Sequence, residues 1–407
     1  MTAQTPHTAA PLPSPAAAHM AKGGAAKLGI TRLTLSDFRS YGYLRLDTDP
    51  RPVVLCGRNG AGKTNLLEAL SFLAPGRGLR GARLTDIGRN ASLQEAPVPW
   101  GVAAQLSTPH GPVDLGTGLA AGGGERRTVK INGQPAKGAG ALATHLGIVW
   151  LTPAMDRLFL EGPAGRRRFL DRLVTAFDAD HAGRMAAYDH AYRQRLRLLK
   201  TGSGDPAWFA ALEDTMARHG VALAAGRCDL VGRLNQELAA VRVSAFPAAT
   251  LALVGTVDGW LQDMPAVDAE DAVRRSLWDE RRGISGAGAG PHRSDLGVAM
   301  VAPGHASNGQ PAALCSTGEQ KALLIAILFA AARLQRAKRG HAPVLLLDEI
   351  AAHLDRHRRT ALFAEILSLG AQAWMTGTDM AVFQELGESA QFLAAENGEL
   401  RLEKSPL

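Results

Sequence analysis

The stretch that most constrains the fold is Gly57, Arg58, Asn59, Gly60, Ala61, Gly62, Lys63 and Thr64. It fits the pattern G-x-x-x-x-G-K-[ST] in full. An apolar run, PVVLC (52–56), precedes it, and NLLEALSFL (65–73) follows with the spacing of a helix. A glycine-rich turn between a buried strand and a helix requires an α/β layer in which the strand delivers the turn to a ligand. Glycines let backbone N–H groups curl around a phosphate without Cβ clashes. The helix N-terminus adds partial positive charge. In such a loop Lys63 reaches the β- and γ-phosphates of a nucleotide and Thr64 holds Mg²⁺. An ordinary glycine-rich turn is the bland alternative, and the two flanks weigh against it.

A second element fits the first. VLLLDE (344–349) reads as a buried strand of four aliphatic residues with Asp348 and Glu349 at its carboxyl end, where ligands sit in open α/β sheets. Asp348 is the candidate partner of Thr64 at Mg²⁺, and Glu349 the candidate group that polarises an attacking water. Alone, two carboxylates after a strand are most often a helix N-terminal charge pair. Beside a phosphate loop they are candidate catalytic residues together with Lys63. A third element, LCSTGEQKALLIAILFAAARL (314–334), opens an apolar helix with Ser316 and Glu319 in capping-box spacing.

The rest sets the organisation. Residues 28–43 alternate as two strands and a turn, interrupted at Asp37–Ser40. Residues 98–135 read as antiparallel strands with an Asn132–Gly133 hairpin turn. From about 165 to 240 the period is helical and strand signals fade. Leu173, Phe177, Tyr188, Tyr192, Leu196 and Leu199 give apolar stripes, while Arg193, Arg195, Arg197 and Lys200 cover another side. TGSGDP (201–206) breaks this stretch into two antiparallel arms. After Gly283 the chain reads as loop until 341–355. No heptad run long enough for an extended coiled coil occurs. The expected class is α/β: a P-loop ATPase head assembled from both chain ends, 28–160 and 284–407, with an inserted α-helical arm domain at 161–283. Residues 1–27, rich in Ala, Pro and Thr, read as a disordered tail.

Composition narrows the partners. Lys and Arg exceed Asp and Glu by 45 to 38, a net +7 that permits a polyanionic partner without requiring one. Cys56, Cys228 and Cys315 lie far apart, with neither metal nor redox spacing, so a reduced compartment is expected. No stretch is apolar for the roughly 18 residues a membrane span needs.

Ser316, Thr317, Gly318, Glu319 and Gln320 resemble the signature motif of ABC-type ATPases, and AHLD (352–355) resembles their D-loop. The resemblance implies that Ser316, Gly318 and the helix end contact the γ-phosphate of a nucleotide held by another subunit. Each chain would then carry two halves of a site, completed in a twofold head-to-tail dimer.

Four further stretches resemble the RecF family: LTLSDFRSY (33–41), GRGLR (76–80), LTPAMDRLFLEGPAGRRRFLD (151–171) and GPHRSDL (290–296). The family likeness runs from about residue 28 onward. It implies an ATP- and Mg²⁺-dependent homodimer on double-stranded and gapped DNA, a weak DNA-dependent ATPase, partners RecR and RecO, a role in recombinational repair, replication and the damage (SOS) response, and a cytoplasmic location. By resemblance to SMC-like heads, Arg39 is a candidate phosphate contact; a solvated turn arginine is the alternative. A Q-loop glutamine near Thr152–Pro153 is not evident. Thr376, Thr378 and Asp379 stand where a switch histidine would be, which implies slow hydrolysis, and neither His292 nor His353 is a substitute. Arg77, Arg80 and Arg83, and separately Arg166, Arg167 and Arg168, are candidate contacts to DNA backbone, against solvated surface as the plain reading. Tyr188 and Tyr192 read as core. The other readings are the ATPase subunit of a transporter and an ATP-gated scaffold with negligible turnover.

Overall fold

A computed structural model describes residues 27–90, 97–122, 126–202, 205–240, 245–284, 286, 288–301, 309–352, 354–396 and 398–403. The expected tail at 1–26 and His353 lie outside them. In chain order the strands are β1 Gly29–Phe38, β2 Tyr41–Asp47, β3 Val53–Cys56, β4 Trp100–Ser107, β5 Val113–Leu119, β6 Arg127–Ile131, β7 Gln134–Pro135, β8 Ile148–Leu151, β9 Ala248–Val254, β10 Asp295–Val301, β11 Gln310–Pro311, β12 Val344–Leu347, β13 Ala373–Gly377, β14 Gln391–Glu396 and β15 Glu399–Glu403. The helices are α1 Lys63–Ser71, α2 Pro163–Phe177, α3 His181–Thr201, α4 Pro206–Ala240, α5 Thr256–Asp263, α6 Ala266–Arg281, α7 Thr317–Arg339 and α8 Arg356–Leu369.

Two six-stranded sheets build the head. One is antiparallel, in the order β2-β1-β4-β5-β6-β7; the other runs β15-β14-β3-β13-β12-β8. In the second, β8, β12, β13, β3 and β14 are parallel neighbours and β15 is an antiparallel edge. Its central strands are buried on both faces, which is why they read as unbroken apolar runs. Along β3, Val54 and Cys56 join the core under α7, while Val53 and Leu55 face the core shared with α1 and the antiparallel sheet. The period of two in a strand makes that division. Asn132 and Gly133 adopt the positive φ values, 49° and 78°, that the expected turn needs.

The helical middle differs from its sequence reading in three places. Asp178 ends α2 and a new helix starts at His181, so three helices stand where one break was expected. Arg195, read as covering the side away from the apolar stripes, is 1% exposed and bonds to Glu213, Glu280 and the Leu277 carbonyl. It occupies the buried row of α3 with Tyr188, Ala191 and Leu198. A periodic pattern cannot reveal a buried arginine whose partners lie on α4 and α6. Finally, β9 and β10 pair over their whole length, joining a strand after α4 to one in the stretch read as loop. Tyr188 is core, as read: it is buried, and its hydroxyl lies 2.6 Å from His292 Nδ1.

The junction between arm and head is held by buried charge. Arg227 grips Asp171 with two 2.8 Å bonds and donates to the Pro291 carbonyl, while His181 Nε2 sits 2.9 Å from the same carboxylate. Those bonds hold the Asp171 carboxyl below its usual range despite burial. Arg166 binds Asp295 in a bidentate pair, and Arg167 donates to the Ser294 carbonyl. Two of the three arginines in that cluster are therefore tied to neighbours within the chain.

Candidate functional site

The phosphate loop leaves β3 at the centre of the parallel sheet. Gly60 and Gly62 have φ of 84° and 99°, where a side chain would be strained. Gly57 is required for another reason: a Cβ there would collide with the Ala395 carbonyl of the neighbouring β14. Its N–H donates to Gly377 at the end of β13. Arg58, Asn59 and Gly60 are exposed, whereas Ala61 and Gly62 are buried under Tyr41, whose hydroxyl donates to the Gly62 carbonyl at 3.1 Å. Burial pushes that phenol up to about 12, so it remains a donor. Lys63 is 5% exposed, and its ammonium donates to the carbonyls of Gly57 and Arg58 at 2.5 and 3.0 Å.

Thr64 and Asp348 lie side by side. Thr64 Oγ1 lies 3.1 Å from both carboxylate oxygens of Asp348. Thr376, at the end of β13, donates to the same carboxylate at 2.7 Å and accepts the N–H of Glu349 at 2.8 Å. Glu349 itself has a φ of 48°, a strain of about 1–3 kcal/mol that the surrounding contacts must offset. The donor set is hard oxygen. No cluster of three or more His, Cys, Asp or Glu side chains occurs among the described residues. A cation held by one hydroxyl and one carboxylate, completed by phosphate oxygens and water, is the coordination Mg²⁺ favours.

Arg39 lies beside this loop but is already engaged. Its guanidinium makes a bidentate pair with Glu68 on α1 at 2.8 and 2.9 Å and donates to the Asp86 carbonyl. Arg80 adds a second pair to Glu68, which is fully buried. Glu68 thus ties the first hairpin and the glycine–arginine loop to the phosphate-loop helix, a role no local pattern announced. Arg77 and Arg83 are exposed.

The signature end is a well-made helix terminus. Ser316 caps α7 in the full reciprocal box: its N–H and hydroxyl donate to the Glu319 carboxylate at 2.8 Å, and Ser316 Oγ accepts the N–H of Glu319. Those bonds hold the Glu319 carboxyl below its usual range. Ser316 and Thr317 are exposed. A Cβ at Gly318 would meet only Arg358 Nη1, at 3.8 Å, so nothing in this chain demands glycine there. His292 packs against Tyr192 of the arm at a tilt of 37°, with its pKa pushed down to about 4 by burial and by the nearby Arg293 and Arg167.

Three comparisons bear on this arrangement. Residues 29–399 match the family model described as RecF/RecN/SMC N terminal domain. A "DNA replication and repair protein RecF" from Rhizobium rhizogenes (strain K84) is 48% identical over 377 residues, 91% of this chain and 98% of the relative. One of the same name from Mesorhizobium japonicum is 48% identical over 378 residues, covering 92% and 97%. Among solved structures, a recombination mediator protein RecF with ATP, in the RecFOR pathway, has this fold with a TM-score of 0.74 at 20% identity, covering 93% of this chain and 100% of that one. An SMC head domain from Pyrococcus furiosus is similar at a TM-score of 0.51 and 15% identity, over 92% and 96%.

Proposed function

The chain belongs to the RecF/RecN/SMC N-terminal family and, within it, to the RecF proteins, and from that premise we propose that it is an ATP-switched DNA-binding protein of recombinational repair and replication. Bound ATP–Mg²⁺ joins two chains head to tail on double-stranded DNA near gaps, where the dimer, with RecR and RecO, helps load recombinase. Hydrolysis is slow, depends on DNA and releases the dimer. A cytoplasmic location and a place in the SOS response go with this reading. No described helix is long and apolar enough to cross a membrane, and the family is not that of transporter subunits.

One observation carries the proposal. The chain holds a phosphate loop with its magnesium pair, and also an exposed, capped helix end with a glycine that no neighbour in the chain requires. That glycine is explained by a close approach from outside. In this reading the Gly57–Thr64 loop and Lys63 bind the phosphates, Thr64 and Asp348 orient the cation that screens their charge, and Glu349 polarises the attacking water. Ser316, Gly318 and the α7 N-terminus close over the partner's γ-phosphate. Arg39 joins the phosphates if they draw it from Glu68. Arg77, Arg83 and Arg168 are exposed candidates for DNA backbone, and Arg80 is exposed but paired with Glu68.

The test is anisotropy of labelled gapped duplex DNA with Glu349→Gln, without nucleotide, with ADP and with ATP–Mg²⁺. Binding that needs ATP, and is lost on adding Lys63→Ala, supports the clamp. Binding indifferent to nucleotide reduces the DNA role to surface charge, and no binding at low salt ends it. A Glu349→Gln protein that supports repair in cells as well as the parent would favour a scaffold that does not cycle.

A further inference from the structure

Helix α7 is apolar nearly all round and buried, yet its second turn carries Lys321, 6% exposed. A long amine stem ordinarily takes its charge to water. Here it does the reverse. Lys321 Nζ donates to the Ala352 carbonyl at 2.9 Å and lies 3.5 Å from the Glu349 carbonyl. Asp156, just past β8, stands 4.0 Å away. Burial lowers the ammonium pKa, against which Asp156 and Glu349 act.

The Glu349 residue is therefore held at both ends. Thr376 takes its N–H, and Lys321 approaches its carbonyl and fixes the turn that follows. Its left-handed backbone is a conformation that persists only where neighbours impose it. Thr376 belongs to the sheet that carries the phosphate loop, whereas Lys321 belongs to the helix that begins at Ser316. The two ends of Glu349 are therefore anchored on different parts of the molecule, the sheet of the phosphate loop and the helix of the signature end.

We infer that Lys321 is a positioning residue that couples the signature end of α7 to the Glu349 carboxylate of the same chain. The inference rests on the composite-site dimer proposed above. In that dimer Ser316 meets the nucleotide on the partner's loop, and Glu349 serves the nucleotide on its own loop. A displacement of α7 on docking moves Lys321, and Lys321 moves the Glu349 turn. Each site then hydrolyses only when the other is occupied.

The experiment is steady-state ATP turnover against ATP concentration, with and without DNA, for the parent, Lys321→Met and Lys321→Arg. Dimerisation is measured in parallel by light scattering with a non-hydrolysable ATP analogue. Lys321→Met should dimerise within about twofold of the parent's concentration dependence while kcat falls by about tenfold and any sigmoidal response flattens to hyperbolic. Lys321→Arg should recover much of the rate. Unchanged kcat in a dimerising Lys321→Met protein overturns the inference. So does a joint loss of rate, dimer and thermal stability that Arg does not repair, because that marks a buried plug. If Lys321→Met does not fold, Thr376→Val loosens the other anchor, and an intact rate there would also count against the clamp. A parent that neither dimerises nor turns over ATP fails the composite-site proposal itself, an outcome separable from the others because it appears before any substitution.

Discussion

The phosphate loop and the signature end are the two helix termini proposed to meet nucleotide phosphate, and they are built in opposite ways. At the first, the side chains that would meet the nucleotide are already positioned inside the chain. Lys63 rests on loop carbonyls, Thr64 and Thr376 on Asp348, and Gly57 on the neighbouring strands. At the second, Ser316 and Glu319 satisfy only each other, and the surface beyond Gly318 is open. A terminus whose lysine, hydroxyl and carboxylate are set in place by their own chain can bind its ligand alone. One that is capped but bare needs a surface brought to it.

That contrast can be broken most forcefully at Lys63. Lys63→Ala should weaken ATP binding to the isolated chain by about 100-fold or more, read by calorimetry, because Lys63 is the cation the loop's geometry aims at the β- and γ-phosphates. Ser316→Arg should leave that affinity within about twofold and raise the concentration needed for ATP-dependent dimerisation by about tenfold, read by sedimentation. If it weakened ATP binding to the monomer instead, the two ends would not be separate half-sites. Glu319→Ala should lower the melting temperature slightly by removing half of the capping box, with ATP affinity unchanged. The smallest effect concerns pH. The Glu319 carboxyl is depressed in the folded chain, so the unfolded chain takes up its proton first as pH falls. The cap's contribution is full above the ordinary value of 4.5 and fades below it. Acid melts of the parent and Glu319→Gln should diverge above that pH and converge beneath it.

What the sequence displayed follows the same divide. The loop, the carboxylate strand and the capping box were legible because each is local: its glycines, aliphatic run or serine–glutamate spacing lie within a few residues. The N–H clamp by Thr376, the Glu68 anchor under Arg39 and the Lys321 contact join residues far apart in sequence, and no periodic pattern encodes them. Signals existed all the same. A lysine inside an otherwise apolar helix and a threonine in place of an expected histidine were both visible, and both proved to touch the carboxylate strand or its turn. The β9–β10 pairing left less trace. Its two strands are separated by α5 and α6, and β10 alternates too briefly between glycine-rich stretches.

The bonds that close the head have a consequence for its biosynthesis. Gln372 bonds to the Ile30 backbone, and Gln391 to Asp49, each across a sequence separation of 342 residues. Gly57 leans on strands made long after it. A chain emerging from the ribosome at roughly 5–20 residues per second must carry an open phosphate loop until β13 and β14 appear. The α3–α4 pair, whose contacts are local, can form well before then. Nascent chains stalled after α4 should therefore have a formed α3–α4 pair and no nucleotide site, exposing the apolar faces of β1 and β3 to whatever chaperone attends them.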